Sequence, residues 1–85
     1  MLPVTRIGTP AKVVFTKHGQ ERMRQRGILR ALVTRALLNP ADKERLPDEE
    51  NKWAFRIPHK GVVLEVVAYR LPKEEKFILK TAYFV

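Results

Sequence analysis

His18, Arg22 and Arg26 recur every fourth residue in the run Thr16-Lys17-His18-Gly19-Gln20-Glu21-Arg22-Met23-Arg24-Gln25-Arg26-Gly27-Ile28. At about 100° per residue, positions four apart share one flank of a helix, so an imidazole stands in line with two guanidinium groups. These residue types suit RNA phosphodiester cleavage without a metal. That reaction takes a proton from the ribose 2′-OH, returns one to the leaving 5′-oxygen, and places positive charge on the phosphate in between. Histidine takes either proton role near neutral pH, and arginine presents planar donors matched to phosphate oxygens. A solvated basic helix balanced by local acids such as Glu21 has the same composition, and a lone histidine near a helix start is more often a packing or capping residue. His59 is the weaker candidate, because it falls in a turn with Lys60 and Gly61.

The elements that must position these side chains follow from periodicity. Thr16 is the expected N-cap and Gly27 the left-handed closing residue of a helix over residues 16–26. Only Met23 is clearly apolar within it, so burial does not explain its three arginines. Residues 28–38 predict a second helix, with Leu29, Leu32, Val33, Ala36 and Leu37 on one face and Asn39-Pro40 as its stop. From Trp53 onward the period changes to two. His59-Lys60-Gly61 and Pro72-Lys73-Glu74-Glu75 separate three strands, an antiparallel meander over residues 52–85. Its alternation places Trp53, Phe55, Ile57, Val62, Leu64, Val66, Phe77, Leu79, Thr81 and Tyr83 on the inner side, with Arg56, Glu65 and Lys80 outside. Residues 12–15 are a short strand candidate, and residues 1–11 read as a loosely ordered arm. The expected fold is α+β, a single domain over residues 1–85, with two N-terminal helices packed on one face of a three- to four-stranded antiparallel sheet.

The chain has 85 residues and a net charge of +8, with ten Lys and Arg against three acids in residues 1–45 and seven against six thereafter. The excess belongs to the half that holds the His18 segment, and a field of that sign favours polyanions. Lys17, Arg22, Arg24, Arg26 and Arg30 are the nucleic-acid-binding candidates. There is no cysteine, which excludes disulfides and thiolate metal sites. No metal and no cofactor are expected. No run reaches the roughly 18 apolar residues of a membrane span, so a cytoplasmic protein without a membrane partner is expected.

Thr16, His18, Arg22, Met23, Arg26, Gly27 and Ile28, the apolar second helix, Asn39-Pro40 and the closing Leu79-Lys80-Thr81-Ala82-Tyr83 resemble a widespread family of small prokaryotic domains of unknown function. Its signature is H-x-x-x-R-x-x-x-R-x-I with a threonine in the last strand. That family is similar in turn to the RelE/ParE toxin superfamily and to colicin D type ribonuclease domains. The resemblance implies a toxin-antitoxin endoribonuclease acting on RNA, with an acidic antitoxin as partner. It marks His18 as general acid or base, Arg22 and Arg26 as phosphate ligands, and Thr81 as a fourth participant. Gly19 stands where the family commonly has alanine, and Leu29 where it often has a Ser or Thr cap. The residues by themselves also admit a non-catalytic nucleic-acid-binding module or a protein-interaction domain.

Overall fold

The structure is a computed structural model that describes residues 12–85; the arm expected over residues 1–11 lies outside them. In chain order the elements are β1 (Lys12–Phe15), α1 (Lys17–Arg26), α2 (Arg30–Leu38), β2 (Asp42–Arg45), β3 (Lys52–His59), β4 (Val62–Leu71), a 3-10 turn (Pro72–Glu74) and β5 (Lys76–Phe84). The strands form one sheet in the order β1-β5-β4-β3-β2.

This sheet corrects the expected architecture. It is mixed and five-stranded, because β1 runs parallel to β5 with Lys12 opposite Lys76 and Phe15 opposite Leu79. The helices therefore lie between β1 and β2 and do not precede an antiparallel sheet of three or four strands. Two strands caused the difference. β1 pairs with the last strand of the chain, a contact that local periodicity does not encode. β2 is Asp42-Lys43-Glu44-Arg45, fully exposed and without an apolar residue. It is held to β3 by backbone pairing and by charge, since Arg56 donates to Asp42 at 2.9 Å and to Glu44 at 2.8 Å.

Both helices pack on the same face. Met23 of α1, Ile28 after it, and Val33, Ala36 and Leu37 of α2 share one core with Phe55, Ile57, Leu64, Val66, Ala68, Phe77, Leu79 and Ala82. Leu64, Leu79, Val33 and Val66 are its fully buried large side chains, each worth about 1.5–3 kcal/mol of transfer free energy. The β3–β4 hairpin turns at Lys60 and Gly61, which have φ values of 50° and 84°. Two consecutive positive φ values make the turn type that matches strand twist.

The last strand departs from simple alternation. Val67 of β4 pairs with Thr81 and Ala68 pairs with Leu79, so Lys80 has no partner and forms a bulge. One extra residue reverses which face each later side chain meets. Thr81 and Tyr83, expected to point inward, instead share the helix-free face with their neighbours Val67 and Glu65, and Ala82 takes the buried position.

Candidate functional site

The site is built on the corner where β1 becomes α1. Thr16 holds that corner from both sides: its Oγ1 accepts from the Gly19 N–H at 3.0 Å and donates to the Leu79 carbonyl at 2.9 Å. A Cβ on Gly19 would stand 2.9 Å from Leu79 Cδ2 and 3.0 Å from Thr16 Oγ1, so the absent side chain lets α1 sit down on β5. The far end closes at Gly27, with φ 67°. Its N–H donates to the Arg24 carbonyl at 3.3 Å, and Ile28 N–H donates to that of Met23 at 2.9 Å. This pair of bonds is the Schellman closure, and Met23 and Ile28 beneath it are both buried.

Beyond Leu79, β5 pairs with no strand on the β1 side among the described residues, and the polar flank of α1 reaches this stretch. His18, Arg22, Arg26, Lys80, Thr81 and Tyr83 line an open cleft of about 330 Å³ there. Arg26 Nη1 donates to Thr81 Oγ1 at 3.3 Å and to the Ala82 carbonyl at 3.0 Å, which leaves its Nε and Nη2 donors for a ligand. Arg22 Nε donates to His18 Nε2 at 3.3 Å. His18 and Arg26 are exposed and Arg22 is partly so.

None of the ion pairs among the described residues involves these groups. They join Lys52 to Asp48 and Glu49, Arg56 to Asp42, Glu44 and Glu65, and Lys76 to Glu74. Glu21 does not neutralise Arg22. Among the described residues the cleft cations thus stand in no ion pair, although Lys80 lies within the field of Asp48 and Glu49, and a surplus of positive charge favours an anion. Among the described residues, no group of three or more His, Asp or Glu is placed to hold a metal ion.

The four residues singled out as His18, Arg22, Arg26 and Thr81 come together; the wider set does not. Arg24 and Arg30 line a separate depression of about 430 Å³ with Gln20, Met23 and Leu29, on another flank of α1. Arg30 donates to Gln20 Oε1 at 2.8 Å and lies 4.8 Å from the Phe15 ring centroid. Lys17 is exposed and lines neither hollow.

A family model for a domain of unknown function, DUF4258, matches residues 15–84, which include every residue of the cleft. The chain belongs to this family. No curated protein and no solved structure matches it.

In this DUF4258 domain, sequence reasoning missed Lys80 and Tyr83 as cleft residues. Tyr83 donates its hydroxyl to Glu65 Oε2, whose Oε1 accepts from Arg56 Nε at 2.8 Å. The hydrogen bond to Glu65, with added burial, pushes the Tyr83 phenol up from its usual value, so it stays protonated. Burial raises the Glu65 carboxyl, but the hydrogen bonds from Tyr83 and Arg56 outweigh it and hold the group below its usual range. The available signal was two hydroxyl side chains, Thr81 and Tyr83, falling on the side reserved for the core; a bulge resolves that conflict.

Proposed function

We propose that this domain is an endoribonuclease that cleaves RNA by attack of the ribose 2′-oxygen, with His18 as general base and Arg22, Arg26 and Lys80 as the phosphate ligands. The single observation behind this reading is the convergence of one imidazole, three cations and the Thr81 hydroxyl on an open cleft, with no carboxylate paired to any of them.

The chemistry follows from that arrangement. A phosphate in the cleft competes for Arg22, whose movement from His18 Nε2 to a phosphate oxygen frees the lone pair. His18 Nε2 then takes the 2′-OH proton, the 2′-oxygen bonds to phosphorus, and the bond to the 5′-oxygen breaks. The leaving oxygen takes a proton from water, which the open cleft admits. A 2′,3′-cyclic phosphate and a 5′-hydroxyl result. Arg26, oriented by Thr81 and the Ala82 carbonyl, meets the charge that grows on the phosphate.

The family's resemblance to colicin D type ribonuclease domains, in which a helix histidine and basic residues act on tRNA, supports RNA as substrate, and its likeness to RelE/ParE-type toxins supports an acidic antitoxin as partner. Purified protein mixed with total RNA in EDTA is expected to cleave it, and His18→Ala is not. No cleavage, or cleavage unchanged by His18→Ala, excludes the catalytic role. One observation favours a second reading, a binding module without catalysis: Arg22 already occupies the Nε2 lone pair that a base needs. That module binds RNA with a steep salt dependence and is indifferent to His18→Ala.

A further inference from the structure

The bulge turns Thr81 and Tyr83 to join Lys80 on the sheet face opposite the helix-packed core, at the β5 edge that the α1 cleft residues reach. Along β4, Glu65, Val67 and Tyr69 alternate onto this same face, with Val67 itself buried between its neighbours and the two tyrosines partly exposed, and Tyr83 stands beside Glu65. The two tyrosines therefore flank the bulge. Four residues of β4 separate their positions, about 13 Å at 3.3–3.4 Å per residue.

The two rings are set in the same way. Tyr83 donates its hydroxyl to Glu65, and Tyr69 donates its hydroxyl to Glu49. Each carboxylate lies beside a cation that it shares with other acids: Arg56, 2.8 Å from Glu65, also meets Asp42 and Glu44, and Lys52, 3.6 Å from Glu49, is 2.8 Å from Asp48. Each ring is also approached by a cation that pairs with no carboxylate, Arg26 at 5.9 Å from the Tyr83 centroid and Lys80 at 6.0 Å from that of Tyr69. The hydroxyl tethers fix the rings, and both side chains are partly exposed. Lys80 links the two places, since it lines the cleft and lies against Tyr69.

Oriented aromatic rings alternating with basic side chains along an open sheet face form a stacking platform for unpaired bases. We infer that the cleft takes a single strand and not a duplex, with one unpaired base on Tyr83, another further along the strand on Tyr69, and Lys80 moving from the Tyr69 ring to a phosphate of the stretch between them. The 13 Å span is about four times the ≈3.4 Å rise of stacked bases, so the strand crosses the bulge extended and its bases splay outward. A duplex keeps its bases paired and stacked and offers neither ring a face. The inference rests on the proposed function for the identity of the nucleic acid as RNA and for a phosphate at the cleft; the Tyr69 subsite is additional to it.

The test is fluorescence anisotropy with an end-labelled all-deoxy hexanucleotide, which lacks the 2′-OH and cannot be cut. The single strand is expected to bind more tightly than the same sequence as a duplex. Tyr69→Ala weakens single-strand binding roughly 5- to 100-fold, and Tyr69→Phe, which keeps the ring and loses the Glu49 tether, stays within about twofold of wild type. If Tyr69→Ala fails to fold, Tyr69→Leu keeps apolar bulk without a π-face and carries the same expectation. Arg26→Ala separates the two levels of the account. Loss of binding in Arg26→Ala with none in the Tyr69 variants overturns this inference and leaves the cleft reading standing. Binding that no variant alters, or no binding at all, overturns both. Equal loss in Tyr69→Phe and Tyr69→Ala, or equal competition by a hexaglutamate peptide, also overturns it, in favour of a structural tyrosine or a generic acidic partner.

Discussion

At the scale of single residues, Arg26 is the cleft cation that the strand beneath it holds in place. One nitrogen is held by Thr81 Oγ1 and the Ala82 carbonyl, and the guanidinium lies against the Tyr83 ring. A lysine supplies the charge but not the planar fork, so Arg26→Lys is expected to weaken hexanucleotide binding about tenfold, consistent with roughly 1.5–3 kcal/mol for a hydrogen bond to a charged group. Anisotropy titrations measure this directly. Behind Arg26, the Tyr83–Glu65–Arg56 chain makes stability depend on pH in two separate windows. The Glu65 carboxyl lies below its ordinary 4.5 in the folded protein, so its contribution is complete above that value and is lost as pH falls through the folded value. The Tyr83 phenol lies above its ordinary 10.0, so its contribution is complete below 10.0 and is lost as pH rises through the folded value. Thermal melts across pH are expected to show a flatter acid limb in Glu65→Gln and a flatter alkaline limb in Tyr83→Phe. Unchanged limbs contradict the coupling.

At the scale of elements, the corner between β1 and α1 decides whether the site exists. Thr16 satisfies a helix N–H and a strand carbonyl with one hydroxyl, so Thr16→Ala is expected to cost about 1–2 kcal/mol. A lowered Tm with unchanged secondary structure checks it. The helix ends were legible in the sequence, because capping is local chemistry: Thr16 and Gly27 act within their own backbone neighbourhood. The face of α2 was legible for the same reason, with Leu32, Val33, Ala36 and Leu37 meeting the core, except at Leu29, which precedes the first turn and is 71% exposed. Most inner residues of β3 and β4 were also readable, since Ile57 pairs with Leu64 and Phe55 with Val66, but Val62, expected inside, lies at the hairpin end and is exposed. Three features were not. The parallel pairing of β1 with β5 spans almost the whole chain, β2 owes its place to the charges around Arg56, and the bulge at Lys80 leaves no mark in composition. The bulge mattered most for the site, because it turned Thr81 and Tyr83 from core fillers into cleft residues.

Across the whole molecule, charge is divided in a way that the sequence showed only in part. The excess of basic residues in the first 45 positions is visible by counting, but their pairing is not. Among the described residues the ion pairs gather around Arg56, Lys52 and Lys76, and none involves the cations of the α1–β5 cleft. Among the described residues, no helix is long and apolar enough to cross a membrane. If Arg22, Arg26 and Lys80 each neutralise one phosphate, the logarithm of the binding constant for a single strand falls with that of salt concentration at a slope of about −2, and Arg26→Ala makes the slope shallower by about 0.7. A slope near zero contradicts the electrostatic account.

The central claim is attack by a 2′-oxygen that His18 deprotonates, and a chimeric hexanucleotide with one ribonucleotide in a deoxy background tests it most directly. The expected result is a single cut on the 3′ side of that ribonucleotide, leaving a cyclic phosphate. His18→Ala is expected to slow this cut at least about 100-fold, with all-deoxy strand binding within about twofold of wild type. Cutting of the all-deoxy strand, equal cutting by His18→Ala, or tight binding of the chimera without any cut contradicts it.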